Sequence, residues 1–267
     1  MQNPEPLLSL DHTKIQLGPQ QFGPFSLTVQ TGERIAILGP SGAGKSTLLK
    51  LMSRELLSRS GSIRLHDRPL ADWTLIELSQ RRAVLPQSSE IAFGLEVELV
   101  VALGRVARQA DSNQAAIVSA ALQLAHASHL AGRRFDTLSG GEQARVQLAR
   151  IFAQLWDVQE GLVLVDEPLA ALDPGLQFDL LDSLQTFICQ RGHALVAILH
   201  DINHALLAFD RLWLIKQGRL QANITADASA IPQLELLYGI RLRQLKSDCG
   251  EAMMVAPVPR HPSAPAP

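Results

Sequence analysis

Apolar positions follow two rhythms along this chain of 267 residues. Residues 27–29, 34–38, 62–65, 83–85, 162–165 and 194–199 form short apolar or alternating runs, which predict strands. A turn at Thr31-Gly32 separates the first two. Residues 115–127 and 142–155 carry apolar side chains at three- and four-residue spacing, which predicts amphipathic helices. Shorter helical patterns cover 47–52 and 176–189. From about 88 to 156 the pattern is helical throughout. Strands alternating with helices imply right-handed crossovers and a mostly parallel sheet. The reading is an α/β core interrupted by a helical insertion. Residues 211–215 and 219–222 flank Gln217-Gly218 as a hairpin. Residues 256–267 hold Pro257, Pro259, Pro262, Pro265 and Pro267, so neither a ladder nor a helix is expected there. No internal repeat is found.

Composition narrows the class. The chain is 46% hydrophobic and 19% charged, with a formal net charge of -2. It can build a core, so wholesale disorder is excluded. A net charge near zero gives no bulk drive toward nucleic acid or anionic lipid. No run of about 18 apolar residues could span a membrane. The first ten residues lack the basic-then-apolar order of a signal peptide. Two cysteines, Cys189 and Cys249, are too few for a disulfide framework. The expectation is a cytosolic location.

Gly39-Pro40-Ser41-Gly42-Ala43-Gly44-Lys45-Ser46, followed by Thr47, matches G-x-x-x-x-G-K-[ST]. Glycines let backbone amides turn inward on a phosphate with no Cβ in the way. The helix that follows points its positive end at the same anion. Lys45 can bridge β- and γ-phosphates, and Ser46 can give its hydroxyl oxygen to Mg²⁺. The bland reading is a glycine-rich turn that happens to hold a lysine. The strand before it and the helix after it weigh against that.

A second motif is Leu162-Val163-Leu164-Val165-Asp166-Glu167-Pro168. Four apolar residues suit a strand buried on both faces. An acid pair at its carboxyl end sits where parallel sheets place ligands. Asp166 suits the Mg²⁺ shell, and Glu167 suits a general base acting on water. The alternative is a solvated acid pair in a turn.

Between these motifs lies Leu138-Ser139-Gly140-Gly141-Glu142, then Gln143-Ala144-Arg145. This resembles the signature of ABC-type ATPases. Over roughly residues 25–220 the rest of the set follows in order. Gln87 resembles the Q-loop glutamine, Ala171-Leu172-Asp173 the D-loop, and His200 the switch histidine. The resemblance implies a single ABC ATPase domain over 1–267. Its P-loop NTPase (RecA-like) core would cover about 1–87 and 157–246, with an antiparallel β part at the N-terminus. Its helical subdomain would cover 88–156, and a proline-rich tail 256–267.

The signature opens a helix at Ser139, Gly140 and Gly141, so it forms a second anion-binding helix end. It has no lysine of its own. In the family this is resolved by a head-to-tail homodimer, each signature meeting the ATP held by the partner. By resemblance, Gln87 contacts Mg²⁺ and the attacking water, Asp173 links the two sites, and His200 holds the γ-phosphate and orients Glu167. The cofactors implied are ATP and Mg²⁺. The partners implied are a transmembrane permease dimer and, indirectly, a periplasmic substrate-binding protein, with no nucleic acid. The location implied is the cytoplasmic face of a bacterial inner membrane.

Three other readings of the histidines were weighed. His200 and His204, four apart, could hold a metal, but no acidic cluster accompanies them. His200-Asp201-Ile202-Asn203 also reads as a plain helix start. His126 and His129 read as a solvated helical face. The chain departs from the family pattern at His12-Thr13-Lys14-Ile15, where an aromatic residue usually stacks on adenine. There His12 could stack, or Lys14 or Ile15 could pack on the ring.

Softer likenesses point within the family. Asp72-Trp73, Arg81-Arg82-Ala83-Val84-Leu85-Pro86-Gln87, Ile91-Ala92-Phe93 and Gly141 through Arg150 resemble the haemin-import subgroup. Ferric-siderophore and cobalamin ATPases share much of this wording and stand as the alternative. Soluble ABC ATPases acting on ribosomes or DNA carry two units or long coiled coils, and neither pattern is seen here. A nucleotide-binding regulator without turnover would not need this full catalytic set.

Overall fold

The structure, a computed structural model, describes residues 5–87, 94–108, 111–168, 172–246 and 253–258. Ile91-Ala92-Phe93, Ala171, Cys249 and the prolines beyond Val258 lie outside the described residues.

The chain opens with β1 (Leu8–Leu17) and β2 (Gln20–Val29), then β3 (Arg34–Leu38) and α1 (Lys45–Met52). Next come β4 (Ser60–Leu65), β5 (Arg68–Pro69), α2 (Leu75–Ser79) and β6 (Arg82–Leu85). The helical stretch contributes α3 (Val97–Ala102), α4 (Gln114–Leu124) and α5 (Gly140–Leu155). The core resumes with β7 (Leu162–Asp166), α6 (Pro174–Arg191), β8 (Ala194–Ile198) and α7 (Ile202–Ala208). It closes with β9 (Arg211–Lys216), β10 (Arg219–Thr225), α8 (Ile231–Tyr238), β11 (Leu242–Lys246) and β12 (Met253–Pro257).

The central sheet has the order β10-β9-β3-β8-β7-β6. Every neighbouring pair is parallel except β10 with β9. A second, antiparallel sheet has the order β2-β1-β4-β5. The mostly parallel core and the N-terminal antiparallel part are therefore both present. The Thr31-Gly32 turn carries the chain from one sheet to the other.

β7 and β8 are buried at every position, as expected for strands covered on both faces. Alternation assigns each face its own core. Val163, Val165, Leu195 and Ala197 pack with the helical stretch, including Val146, Ile151 and Phe152. Leu162, Leu164, Val196 and Ile198 pack with α1 and the antiparallel sheet. Within the helical stretch, the buried Arg105 donates to Ala153 O and Asp157 and pairs with Asp111. This closes its charge inside the protein.

Two expectations need correction. The tail does build a ladder at its start: Ala256 and Pro257 pair with Arg243 and Leu242. Pro257 is tolerated because it ends an edge strand, where a missing N–H costs no rung. The helix expected to reach 127 stops at Leu124. His126 has φ 52, and His129 lies in a separate 3₁₀ turn, so the two exposed histidines share no helix.

Candidate functional site

Gly39 to Thr47 wraps the carboxyl end of β3 and enters α1. Gly39 has φ 159, and an added Cβ would lie 2.1 Å from the Ile215 carbonyl oxygen. Only glycine fits that approach. Gly44 caps α1 in a left-handed conformation, φ 98, and α1 has no capping side chain and no acid in its first turn. Its opening amides thus remain available to an anion. Lys45 is buried, and its Nζ donates to the carbonyls of Gly39 at 2.9 Å and Pro40 at 3.1 Å. Burial lowers its pKa, while Glu167 and Asp166 act in the opposite direction.

Two acids stand opposite, at the end of β7. Asp166 is buried and accepts from the Ser46 hydroxyl at 3.3 Å. Burial raises its pKa. Ser46 and Asp166 therefore offer hard oxygen donors side by side, a set that suits Mg²⁺. Glu167 has φ 51, a left-handed backbone unusual for a side chain of this size. Gln87 donates to Glu167 Oε2 at 2.8 Å, and His200 Nε2 lies 2.6 Å from Glu167 Oε1. Gln87 and His200, far apart in the chain, converge on this one carboxylate.

His200 precedes α7, whose first turn is capped by Asp201 accepting from the amides of Asn203 and His204. His204 is buried edge-on to Phe178, with ring centroids 5.2 Å apart. Its ring is thus committed to Phe178, away from the Glu167 contact made by His200. Among the described residues no group of three His, Cys, Asp or Glu could hold a metal.

The signature residues open α5. Ser139 caps it, accepting from the Glu142 amide, while Glu142 Oε2 accepts from the Ser139 amide at 2.8 Å. Glu142 is held below the usual carboxylate range chiefly by that bond. It also meets Arg133 at 2.8 Å. A Cβ on Gly141 would meet Leu176 Cδ2 at 2.5 Å, so α5 starts directly against the start of α6. Asp173 caps α6 by accepting from the Leu176 amide at 3.0 Å. Leu176, whose amide Asp173 caps, is thus the residue that meets the signature. Ser139 and Gly140 are exposed.

The upstream stretch resolves part of the adenine question. Ile15 is buried in the core, and the Thr13 hydroxyl donates to Ser62 O. His12 is exposed at a bulge with φ 45, its Nδ1 2.6 Å from Asp11. Sequence reasoning missed two supports of the cradle. The Phe22 ring lies against Gly44, within 2.6 Å of where a Cβ would stand. Tyr238, the chain's only tyrosine, accepts from the Gly39 amide through its hydroxyl at 3.1 Å. Neither belongs to a local motif; Phe22 shows only as an apolar position in an alternating strand.

Comparison with known proteins places the chain in a family. A family model described as ABC transporter matches residues 22–170. "Hemin import ATP-binding protein HmuV" of Methylobacillus flagellatus is 38% identical over 265 residues, 97% of this chain and 98% of that protein. The protein of the same name from Pseudomonas putida is 44% identical over 217 residues, 80% of this chain and 85% of that one. Among solved structures, a chain of an inward-facing ABC transporter described as of metal-chelate type matches with a TM-score of 0.80 at 22% identity, over 96% of this chain and 99% of that one. MJ1267, an ATP-binding cassette of an ABC transporter, matches with a TM-score of 0.77 at 19% identity, over 88% and 98%. With a family model over more than half its length and relatives matched nearly end to end, the chain belongs to the ABC transporter family and is one of its ATPase subunits.

Proposed function

We propose that this ATPase subunit powers haemin import through a separate membrane permease. The observation that carries the substrate is the run of relatives named for hemin import, 38–44% identical over most of the chain. The observation that supports turnover is the convergence of Gln87 and His200 on the Glu167 carboxylate.

In this reading Gly39, Pro40, Ser41, Gly42, Ala43, Gly44 and Thr47 cradle the phosphates through backbone and helix end. Lys45 places its ammonium on the β- and γ-phosphates. Ser46, Asp166 and Gln87 would hold Mg²⁺, which when bound would neutralise phosphate charge. Glu167 takes a proton from the attacking water, Gln87 helps orient that water, and His200 holds the γ-phosphate. Positioning and charge stabilisation supply most of the rate.

Ser139, Gly140 and Gly141 act on a second copy's ATP, so the working form is a head-to-tail homodimer enclosing two ATP. Asp173, at the cap of the helix whose Leu176 meets the signature, links the two sites. Closure and reopening of that dimer drive the permease at the cytoplasmic face of a bacterial inner membrane. A periplasmic substrate-binding protein acts on the far side of the permease. Among the described residues no helix is long and apolar enough to cross a membrane. The helical stretch, about 88–156, docks the permease near Gln87.

A strain lacking this chain, grown on haemin or on ferric siderophore as sole iron source, tests the substrate. Loss of growth on haemin alone, restored by the intact chain and not by Glu167→Gln, is expected. Growth on haemin with failure on siderophore moves the substrate to the siderophore class. Purified Glu167→Gln is expected to bind ATP and dimerise with turnover at least about 100-fold down. Normal turnover removes Glu167 as the base.

A further inference from the structure

The short helix after His200 is tied to the C-terminal end of the chain by one side chain. Asn203 lies in the first turn of α7, three residues beyond His200. Its Nδ2 donates to the Val255 carbonyl at 3.1 Å, and its Oδ1 accepts from the Val255 amide at 2.7 Å. Both backbone groups of one β12 residue are thus satisfied by one amide. A carboxamide carries the same donor and acceptor as a peptide, so Asn203 serves as a one-residue rung on the side of β12 that faces away from β11.

The packing supports the same link. Val255 is buried in the core that holds Ala205, Leu206 and Ala208 of α7 and Leu234 and Leu237 of α8. α7 has seven residues, too few to be stable as an isolated helix, so its placement depends on what packs against it. Asp201 fixes its first turn from within, and Val255 fixes the same turn from outside. The C-terminal unit that supplies Val255 also reaches the cradle. α8 presents Tyr238 to the Gly39 amide, turns at Gly239 (φ 65), and enters β11 with the Leu242 amide donating to Glu235 at 2.6 Å. One unit therefore touches both the cradle and the helix that follows His200.

We propose that Asn203 is a positioning residue for hydrolysis, clamping α7 to β12 so that His200 meets Glu167 at the right place. The clamp acts through His200, and it rests on the reading that His200 and Glu167 work in hydrolysis. Small displacements of a group around a reacting phosphate cost large factors in rate. A clamp that acts only on stability would instead have an effect independent of His200.

The test is a double-mutant cycle on the full chain, read by single-turnover ATP hydrolysis with enzyme in excess and by ATP affinity. Asn203→Ala is expected to slow hydrolysis about tenfold with ATP affinity within about twofold. In a His200→Ala background the same change is expected to cost no more than about twofold. An equal factor in both backgrounds overturns the clamp. Full rate in Asn203→Ala beside an impaired His200→Ala also overturns the clamp and leaves the role of His200 standing. Full rate in His200→Ala overturns that role, and the clamp with it. Should Asn203→Ala not fold, Asn203→Asp runs the same cycle. It keeps the acceptor for the Val255 amide and sets a carboxylate oxygen against the Val255 carbonyl, so a smaller drop with the same non-additivity is expected.

Discussion

Two glycine-rich helix starts lie in this chain, and they are built in opposite ways. α1 begins at a left-handed glycine with no capping side chain and no acid in its first turn. It keeps a buried lysine at its mouth. α5 begins with a capping box in which Ser139 and Glu142 satisfy each other's amides. Its nearest charge is the Glu142 carboxylate, itself paired with Arg133. The first start is short of acceptors and rich in positive charge, so it can hold an anion alone. The second has two of its opening amides, those of Ser139 and Glu142, already satisfied and adjoins a negative group. It can approach only an anion whose charge is largely neutralised elsewhere. On the proposed reading the same glycine-rich pattern gives one complete site and one half-site, and the capping residues set the difference.

Removing the lysine breaks this comparison most sharply. Lys45→Ala is expected to weaken ATP binding about 100-fold, the loss of a charge-assisted contact in a partly desolvated site. Equilibrium nucleotide binding by the purified chain measures it. Retained affinity means that charge supplied in cis does not separate α1 from α5.

The half-site should respond differently. Ser139→Ala removes the cap and the exposed hydroxyl but touches nothing in the cradle. ATP affinity of the isolated subunit is expected to change less than about twofold, while turnover of the assembled pair falls about tenfold. Unfolding should also shift by about 1 kcal/mol through loss of the cap. Equal losses in binding and turnover indicate that α5 contributes to ATP held by its own chain, contrary to the half-site reading.

The contrast also explains what was legible in the sequence. Gly39 to Ser46, Asp166-Glu167 and Ser139 to Glu142 are local strings, and each could be read because its chemistry requires neighbouring residues. The strands around them were legible because β7 and β8 are buried on both faces and show unbroken apolar runs. Asp173 was expected by likeness to the D-loop alone, and the helix it caps starts at Pro174, two residues before the expected 176. The convergence of Gln87, Glu167 and His200 was expected by resemblance alone, since no spacing along the chain encodes it. The contacts that Phe22, Asn203 and Tyr238 make across the fold left no signal. Each meets its partner through the fold, Tyr238 across 199 positions of sequence. β12 was misread because proline content argued against a strand, while an edge position accommodates Pro257.

The smallest effect asks whether the cradle is as self-sufficient as its local motif suggests. Tyr238→Phe keeps the ring and deletes only the oxygen that accepts from the Gly39 amide. Burial raises the pKa of this phenol, so it is neutral at ordinary pH and contributes as a hydrogen-bond acceptor, without charge. Its loss leaves one backbone amide unpaired at the entrance to the phosphate loop, a cost of about 1 kcal/mol. Part of that cost is recovered if the loop relaxes. ATP affinity is therefore expected to fall about two- to fivefold, with a small drop in melting temperature. The companion measurement is the same substitution in Lys45→Ala. If Tyr238 acts by holding the loop in shape for the lysine, the second loss shrinks in that background. If it only stabilises the fold, the two losses add, and the cradle owes its geometry to its glycines and α1 alone.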